Sequence, residues 1–228
     1  MIKYASNSFL ATKISFANEM SRICEKLGVD VYEIMEGVGL DFRISPHFLR
    51  AGVGFGGSCF PKDVSALMYT AKEIGVSTPL LKGAMKNNEI QPMHLVETAE
   101  RIMGGLEGRK VLVLGLAFKP DTDDIRSTRS LPVIRHLLSR GAVVGAHDPK
   151  AVRNFKKELP EITFFDDLDE ALEWSNLVFL LTEWQAYREV DWTKKQNIEA
   201  LFDGRRGVDP SGLGKIRYWA MGGPLPKS

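Results

Sequence analysis

The sequence has few cysteines, no long apolar run and no excess of charge of either sign. Only Cys24 and Cys59 occur in 228 residues, which is too few for a disulfide framework. The 30 basic and 29 acidic residues leave a formal net charge of +1, so neither nucleic acid nor a membrane surface is predicted as a partner. No apolar run reaches bilayer length, and the first residues lack a signal-peptide pattern. We therefore expect a cytoplasmic protein.

Histidine is equally sparse, which bears on metal chemistry. The chain has four, scattered without the spacing of metal ligands: His47, His94, His136 and His147. We therefore predict no metal site.

Glycine is locally abundant. The segment 52–63 contains four glycines and is followed by helical spacing, which predicts a helix with Ser58 as its N-cap. Cys59 then lies at a helix N-terminus near Lys62, and both features favour a thiolate. Asp63 follows one turn later on the same helix face. Two interpretations stay open from these residues: an active site built on a nucleophilic cysteine, or a glycine-rich loop leading into a core helix with an inert cysteine.

Helical periodicity fills the first half of the chain. The apolar spacing predicts helices over residues 3–27, 31–38, 59–74 and 79–104. Cys24 falls on the apolar stripe of the first helix and is predicted to be a core residue. Pro92 should kink or divide the last helix. The length and apolar stripe of that helix lead us to expect a partner from a second subunit, and hence a homodimer.

Four polar residues of this half are further candidates. Lys3 and Asn7 are four apart and share a helix face, as surface pairs commonly do. Arg43 and Arg50 lie just before the glycine-rich segment. Such arginines can clamp phosphates through bidentate bonds, although ordinary surface arginine is the alternative.

The residues after Gly104 change period. Short apolar runs predict strands at 110–115, 142–146, 162–165, 177–181 and 198–202, with helices at 130–141, 152–159 and 168–174. This alternation indicates a doubly wound, Rossmann-like parallel sheet. The whole chain is therefore predicted to be α/β, with an all-helical domain over 1–104 and the sheet domain over 105–228.

The turn after the first predicted strand lacks a dinucleotide fingerprint. Gly115 is followed by no second or third glycine at the required spacing, so the backbone cannot approach a pyrophosphate as it does in a NAD site. The polar loop 119–129 suits a ligand that is held by side chains. Asp148 closes the second strand, where many such folds contact a ribose, although Asp-Pro is also a common turn.

Five ordered runs of residues carry a resemblance to a known family. They are Lys3-x-x-x-Asn7 and the segments 9–16, 54–63, 115–119 and 124–126. Together they resemble the UDP-glucose 6-dehydrogenases, within the larger UDP-glucose/GDP-mannose dehydrogenase group. The resemblance implies a central helical domain followed by a UDP-binding domain. It also implies that the family's N-terminal NAD-binding domain is missing from this chain, which we expect to be inactive alone.

The resemblance implies a reaction and roles for four residues. The family oxidises UDP-glucose to UDP-glucuronate with two NAD, through a cysteine thiohemiacetal and thioester. Cys59 would be that nucleophile, and Lys3 and Asn7 would stabilise the oxygen at C6. Asp63 would orient or deprotonate the hydrolytic water.

It also implies binding residues and leaves alternatives. The substrate would be bound by Phe55, Gly56, Gly57, Arg43, Phe118, Lys119 and Arg205, and NAD would be contacted by Lys62 and Arg126. A GDP-mannose or UDP-N-acetylhexosamine dehydrogenase of the same group is the close alternative, although segments 39–44 and 60–63 favour the UDP-glucose branch. From another class, the chain could be a non-catalytic module for nucleotide-sugar binding or oligomerisation.

Overall fold

A computed structural model describes residues 1–225. Its contacts divide the chain into two compact units. The helical unit comprises Met1–Gln91 with the segment from Gly222, and the sheet unit comprises Pro92–Met221. This division falls inside the fourth helix, whereas the domain boundary after residue 104 stays a prediction.

Four helices form the helical unit and the start of the sheet unit. They are α1 (Ile2–Leu27), α2 (Val31–Gly39), α3 (Cys59–Glu73) and α4 (Pro79–Met103). The helical prediction for this half is confirmed. Pro92 lies inside α4 without dividing it. The last turns of α4 belong to the sheet unit, where Glu100 accepts a hydrogen bond of 2.5 Å from Arg140.

The helical unit has a core of small and medium apolar side chains between α1 and its neighbours. Cys24 is buried in one cluster of this core, as predicted, beside Val31 and Met35. The segment from Gly222 joins the same unit: Val31 donates its backbone N–H to the Gly222 carbonyl, and Gly222 donates to the Glu25 carboxylate, both over 2.9 Å. The C-terminal segment therefore fixes the junction between α1 and α2.

The sheet unit contains six parallel strands in the order β3-β2-β1-β4-β5-β6. The strands are β1 (Lys110–Leu114), β2 (Val143–His147), β3 (Thr163–Phe165), β4 (Leu177–Leu180), β5 (Ala200–Asp203) and β6 (Arg217–Ala220). The helices are α5 (Ser130–Ser139), α6 (Val152–Glu158), α7 (Leu168–Trp174) and α8 (Gln185–Arg188). The order reverses between β1 and β4, which confirms the doubly wound fold and places a ligand crevice at the carboxyl ends of these strands.

Among the α-helices and strands, two were not predicted, β6 and α8. Each has only four residues, and each mixes charged or polar residues with apolar ones. Neither gives a periodic signal above that of a loop. Among residues 1–225, no helix combines the length and the apolar content required to cross a bilayer.

Gly115 ends β1 at the ligand edge of the sheet. Its φ of +97° is unfavourable for other residues. A Cβ atom at this position would lie 2.4 Å from Cβ of Thr182 and 2.6 Å from its backbone nitrogen. Since backbone cannot move aside cheaply, only glycine fits here.

We predict that Gly115→Ala lowers the free energy of unfolding by about 1–3 kcal/mol, through overpacking and a strained φ. Urea unfolding of the purified chain measures this. Gly37→Ala is the matched control, because Gly37 lies inside α2 with nothing within 4 Å of the added Cβ. The control should be neutral or more stable by up to about 1 kcal/mol. Equal effects of the two substitutions would contradict the assignment.

Candidate active site

The predicted nucleophile is the first residue of α3. Cys59 is a free, exposed thiol. Ser58 occupies the N-cap position, as predicted, but its side chain makes no capping hydrogen bond. The reason is local, since Ser58 has helical dihedrals (φ −89°, ψ −24°) where an N-cap residue is normally extended. Its Oγ instead lies 4.0 Å from Sγ of Cys59.

The packing of α1 on α3 brings together Lys3, Asn7 and Asp63. Asp63 lies one turn after Cys59 and is buried. Its carboxylate accepts a hydrogen bond of 2.6 Å from Nδ2 of Asn7 and forms an ion pair of 3.2 Å with Nζ of Lys3. Two helices that are more than fifty residues apart in sequence thus supply one polar cluster beside an exposed thiol.

The hydrogen bonds and charges of this cluster favour the ionised forms of both Asp63 and Lys3. The hydrogen bond from Asn7 is the largest cause that lowers the pKa of Asp63, and the hydrogen bond and charge of Lys3 add to it. In return, the hydrogen bond to Asp63 raises the pKa of Lys3, with a smaller contribution from the charge of Cys59. Near neutral pH the site therefore presents a carboxylate and an ammonium group. Lys3 has three donor hydrogens and is exposed, so it can still reach a ligand oxygen.

The glycine-rich loop turns sharply before Cys59. Gly54 and Gly57 have φ of +100° and +76°. Phe55 is buried, and its ring packs edge-on against Phe60 at 5.9 Å. Phe55 is thus engaged within the helical unit, and its contact with a substrate stays a prediction, as do those of Gly56 and Gly57.

Two of the candidate arginines, Arg43 and Arg126, share one local geometry. Arg43 bonds to Asp41, and Arg126 bonds to Asp124, each with an Nη2–Oδ2 distance of 2.6 Å. An aspartate two residues earlier therefore orients each exposed guanidinium group. The roles of Arg43 in substrate binding and of Arg126 and the exposed Lys62 toward NAD stay predictions.

The remaining candidates lie at the carboxyl edge of the sheet. Phe118 and Lys119 follow β1, and Nζ of Lys119 lies 5.6 Å from the centre of the Phe118 ring. Arg205 follows β5 and donates from Nε to the Leu181 carbonyl over 3.0 Å. Three predicted binding residues are thus placed at one edge of one sheet.

The sheet unit does not fit NAD in the usual Rossmann manner. Asp148 is buried, and its Oδ2 accepts hydrogen bonds from the backbone N–H groups of Leu116 and Ala117, over 2.7 and 3.0 Å. The same oxygen accepts from Nε1 of Trp184 over 3.1 Å. The amides that would meet a pyrophosphate are therefore occupied. Asp148 organises the turn, and the sequence interpretation of it as a ribose contact gains no support.

The glycine-rich loop contains a second possible dinucleotide fingerprint. Gly52, Gly54 and Gly57 match the letters of a dinucleotide fingerprint, but they lie in the helical unit and follow no strand. They therefore do not form a dinucleotide turn.

Among the described residues, no group of three or more histidine, cysteine or acidic side chains is placed to hold a metal ion.

The fold and the site define a class: an α/β protein in which a helical unit presents a thiol beside a Lys–Asn–Asp cluster, and a doubly wound sheet offers side chains at its ligand edge. Residues 1–90 match the family model described as the UDP-glucose/GDP-mannose dehydrogenase family, central domain. Residues 112–210 match that of the same family's UDP binding domain. The chain belongs to the UDP-glucose/GDP-mannose dehydrogenase family, which confirms the resemblance.

Individual relatives agree with this assignment. The chain is 44% identical to UDP-glucose 6-dehydrogenase TuaD of Bacillus subtilis over 209 residues, which cover 90% of the chain and 45% of the relative. It is 40% identical to UDP-glucose 6-dehydrogenase of Rickettsia typhi, over 99% of the chain and 54% of the relative. The chain is also similar to a solved structure of a UDP-glucose dehydrogenase from Pyrobaculum islandicum, with 42% sequence identity and a TM-score of 0.87. This match covers 97% of the present chain and 50% of the other one. The chain thus spans about half the length of the curated relatives it matches.

We predict that Asn7→Ala raises the pKa of Asp63, because the hydrogen bond from the Asn7 amide is the largest single cause of the lowering. The ionised carboxylate stabilises the fold above its unfolded pKa of about 3.9, and this stabilisation is lost as the pH falls through the lower folded value. The loss of stability in Asn7→Ala should therefore be largest at neutral pH and shrink in acid.

Carboxyl NMR titration of Asp63 and urea unfolding at several pH values measure these two effects. An unchanged pKa of Asp63 in Asn7→Ala would contradict the assigned cause.

Proposed function

We propose that this chain contributes the thiol site and the nucleotide-sugar site of an NAD-dependent UDP-glucose 6-dehydrogenase, which converts UDP-glucose to UDP-glucuronate. The observation that carries the proposal is the cluster on α1 and α3. Cys59 is exposed at the start of α3, and Asp63, one turn later in the same helix, contacts Asn7 and Lys3. A nucleophile, a cation and an amide donor within two packed helices match the needs of covalent aldehyde capture.

The residues of this chain would act as follows. Sγ of Cys59 adds to C6 of the aldehyde, forming a C–S bond, while the carbonyl oxygen takes up a proton. Lys3 and Asn7 stabilise the negative charge that develops on that oxygen. When C6 is later carried as a thioester, water attacks it and the C–S bond breaks. Capture at sulfur keeps the aldehyde from escaping between the two oxidations.

The lowered pKa of Asp63 refines its role. A carboxylate with a lowered pKa is a weak base, because proton transfer is most effective when the pKa lies near the working pH. We therefore assign Asp63 to orienting the water and to holding Lys3 and Asn7 in place. Of the two roles that the sequence allowed, orientation is the one the electrostatics favour.

The oxidations need a hydride acceptor, which in this family is NAD. The turn after β1 does not fit the dinucleotide because Asp148 occupies its amides. The glycine-rich loop does not fit it because the loop follows no strand. We propose that the chain alone binds UDP-sugar and oxidises nothing. Lys62 and Arg126 are the contacts that we propose for the cofactor.

Substrate binding is assigned to both units. The match of residues 112–210 to a UDP-binding domain supports Phe118, Lys119 and Arg205 as contacts for UDP-sugar. Arg43, Gly56 and Gly57 are proposed contacts from the helical unit.

The sequence identities favour UDP-glucose over other nucleotide sugars as the substrate. Identity is 42% to the Pyrobaculum UDP-glucose dehydrogenase, but 27% to an NDP-N-acetyl-D-galactosaminuronic acid dehydrogenase of Methanosarcina mazei and 28% to a GDP-mannose dehydrogenase of Pseudomonas aeruginosa. Dehydrogenases for these other nucleotide sugars remain the second candidate, and calorimetric titration with UDP-glucose and GDP-mannose separates them. The intact thiol cluster argues against a purely structural module.

A UDP-glucose analogue that carries a ¹³C-labelled aldehyde at C6 tests the nucleophile without NAD. We predict that the purified chain converts the aldehyde signal to a protein-bound thiohemiacetal signal, and that Cys59→Ala abolishes it because no other thiol is exposed. Cys24→Ala is the control, since Cys24 is buried and should leave the adduct unchanged. NMR measures the adduct, and NADH absorbance with unlabelled UDP-glucose measures oxidation.

An undiminished adduct in Cys59→Ala would sink the nucleophile assignment. NADH production by the chain alone would instead overturn the claim that it lacks oxidising activity.

We also propose a homodimer through an exposed apolar row on α1. The row has a seven-residue repeat: Ile2, Phe9, Phe16 and Ile23. These residues are 86, 66, 47 and 46% exposed, respectively. A repeat of seven keeps side chains on one helix face, which is the pattern of helix–helix association. The sequence had suggested α4, where the exposed large hydrophobics among the described residues are Leu80 and Met93.

A groove between α1 and α4 includes Phe16 of this row. This groove has a volume of about 270 Å³ and is lined by Phe16, Leu80, Pro79 and Gly83, among others. Both long helices thus contribute apolar surface to one concave region, which suits the row of a second copy.

We predict that the double substitution Phe9→Glu with Phe16→Glu raises the dimer dissociation constant roughly 100-fold or more, because buried aromatic anchors dominate such interfaces. Sedimentation equilibrium measures the constant. Ile74→Glu is the control, since Ile74 is an exposed apolar residue outside the row. An unchanged mass distribution in the double variant would contradict this interface.

A further inference from the structure

The glycine-rich loop before Cys59 is buried but belongs to no β-sheet. Residues 51–55 are all buried, yet they lie between α2 and α3 with no strand beside them. Buried backbone N–H and C=O groups must find partners, since an unpaired group costs stability. The pairing of this loop therefore has to come from side chains.

Asn88 of α4 pairs with the backbone of Phe55. Its Oδ1 accepts from the Phe55 N–H over 2.7 Å, and its Nδ2 donates to the Phe55 carbonyl over 3.0 Å. One side-chain amide thus makes the two bonds that a neighbouring strand would make. The side chain of Phe55 packs in turn against Phe60 and Val64 of α3. The start of α3 is therefore fixed through Phe55.

Gly52 is held in the same manner by two amides. Its N–H donates to Oδ1 of Asn18 on α1 over 2.8 Å, and its carbonyl accepts from Nε2 of Gln91 on α4 over 3.0 Å. Asn18, Asn88 and Gln91 are each almost fully buried. Three buried amides on two helices therefore bind both polar groups of two loop residues.

Arg22 fixes the orientation of one of these amides. Its guanidinium donates to Oε1 of Gln91 and, over 2.6 Å, to Oδ1 of Asn87. Because a guanidinium can only donate, Gln91 must turn its oxygen toward Arg22 and its NH₂ group toward Gly52. A carboxylate or an apolar residue in place of Gln91 could not satisfy both neighbours.

We propose that Asn18, Asn88 and Gln91 are positioning residues, which hold the loop backbone and through it place Cys59 relative to Lys3. The inference rests on the proposed function, because it takes Cys59 as the nucleophile. The residues do not touch the thiol; they act through Gly52 and Phe55. Asn88 pairs with both the N–H and the carbonyl of Phe55, and Gln91 accepts from Arg22 while it donates to Gly52, so each of these two uses both ends of an uncharged amide. Asn18 supplies the acceptor for the Gly52 N–H.

Hydrogen exchange of the unmodified chain gives the first test. The amides of Gly52 and Phe55 should be protected to about the same degree as amides inside α4, although they lie in a loop. Exchange as fast as that of an exposed loop amide would overturn the proposal. This measurement needs no substitution, so it decides the question even where a variant does not fold.

Asn88→Ala gives the second test, with Asn87→Ala as its matched control. Asn87 is the same residue type, adjacent on α4 and also buried, but it bonds to α1: its Nδ2 donates to the Ser15 carbonyl and its Oδ1 accepts from Arg22. Both variants lose buried hydrogen bonds and should be destabilised alike. Only Asn88→Ala should speed exchange of the Phe55 amide, by about tenfold.

The readout for positioning is the alkylation rate of Cys59 by iodoacetamide, followed by peptide mass spectrometry over the neutral pH range. In Asn88→Ala the rate at neutral pH should fall roughly two- to fivefold, because the thiol shifts from the helix N-terminus and from Lys3. Asn87→Ala should retain the wild-type rate. Equal rates and equal exchange in the two variants would overturn the proposal. If the wild-type chain does not capture the aldehyde, the proposed function is contradicted. The hydrogen-exchange test of the loop contacts does not depend on that result.

Discussion

A buried carboxylate determines how the two helices of the thiol site pack. Asp63 lies on the face of α3 that meets α1, where an unpaired charge would be strongly destabilising. The register of α1 in the structure satisfies it by placing Asn7 against the carboxylate and Lys3 at its rim. Because Cys59 lies one turn before Asp63, the same register also sets the cation beside the thiol. The chemistry of the site thus follows from a packing requirement.

Local signals in the sequence predict a good part of this structure. The periodicity of α1 to α4 and the apolar runs of β1, β2 and β4 identify these elements, because each buries a continuous face or a whole strand. The four-residue spacing of Lys3 and Asn7 predicts that they share a face, but it says nothing of their partner. That partner is more than fifty residues away, and only tertiary packing shows that the pair faces a carboxylate instead of solvent.

The residues that the sequence did not suggest are the amides that hold the loop. Asn18, Asn88 and Gln91 lie in helices whose apolar positions give the dominant signal, so polar residues among them look like surface. A buried loop without a strand partner is the missing information, since it creates a demand for donors and acceptors that the helices must meet. An amide in the apolar stripe of a helix, combined with a glycine-rich loop elsewhere, is the signal that could have revealed them.

The sheet unit uses its glycines and acids in the opposite way from a dinucleotide-binding domain. Asp148 occupies the amides of the turn after β1, and Thr182 closes the space beside Gly115, so the backbone offers a phosphate nothing there. A phosphate bound at this edge would have to meet side chains, and Lys119 and Arg205 are the ones we propose for it. In the helical unit, Gly54 and Gly57 let the loop before Cys59 turn sharply, with φ of +100° and +76°. Under the proposed function, the glycines before Cys59 therefore serve the thiol site, whereas the ligand contacts of the sheet unit come from side chains.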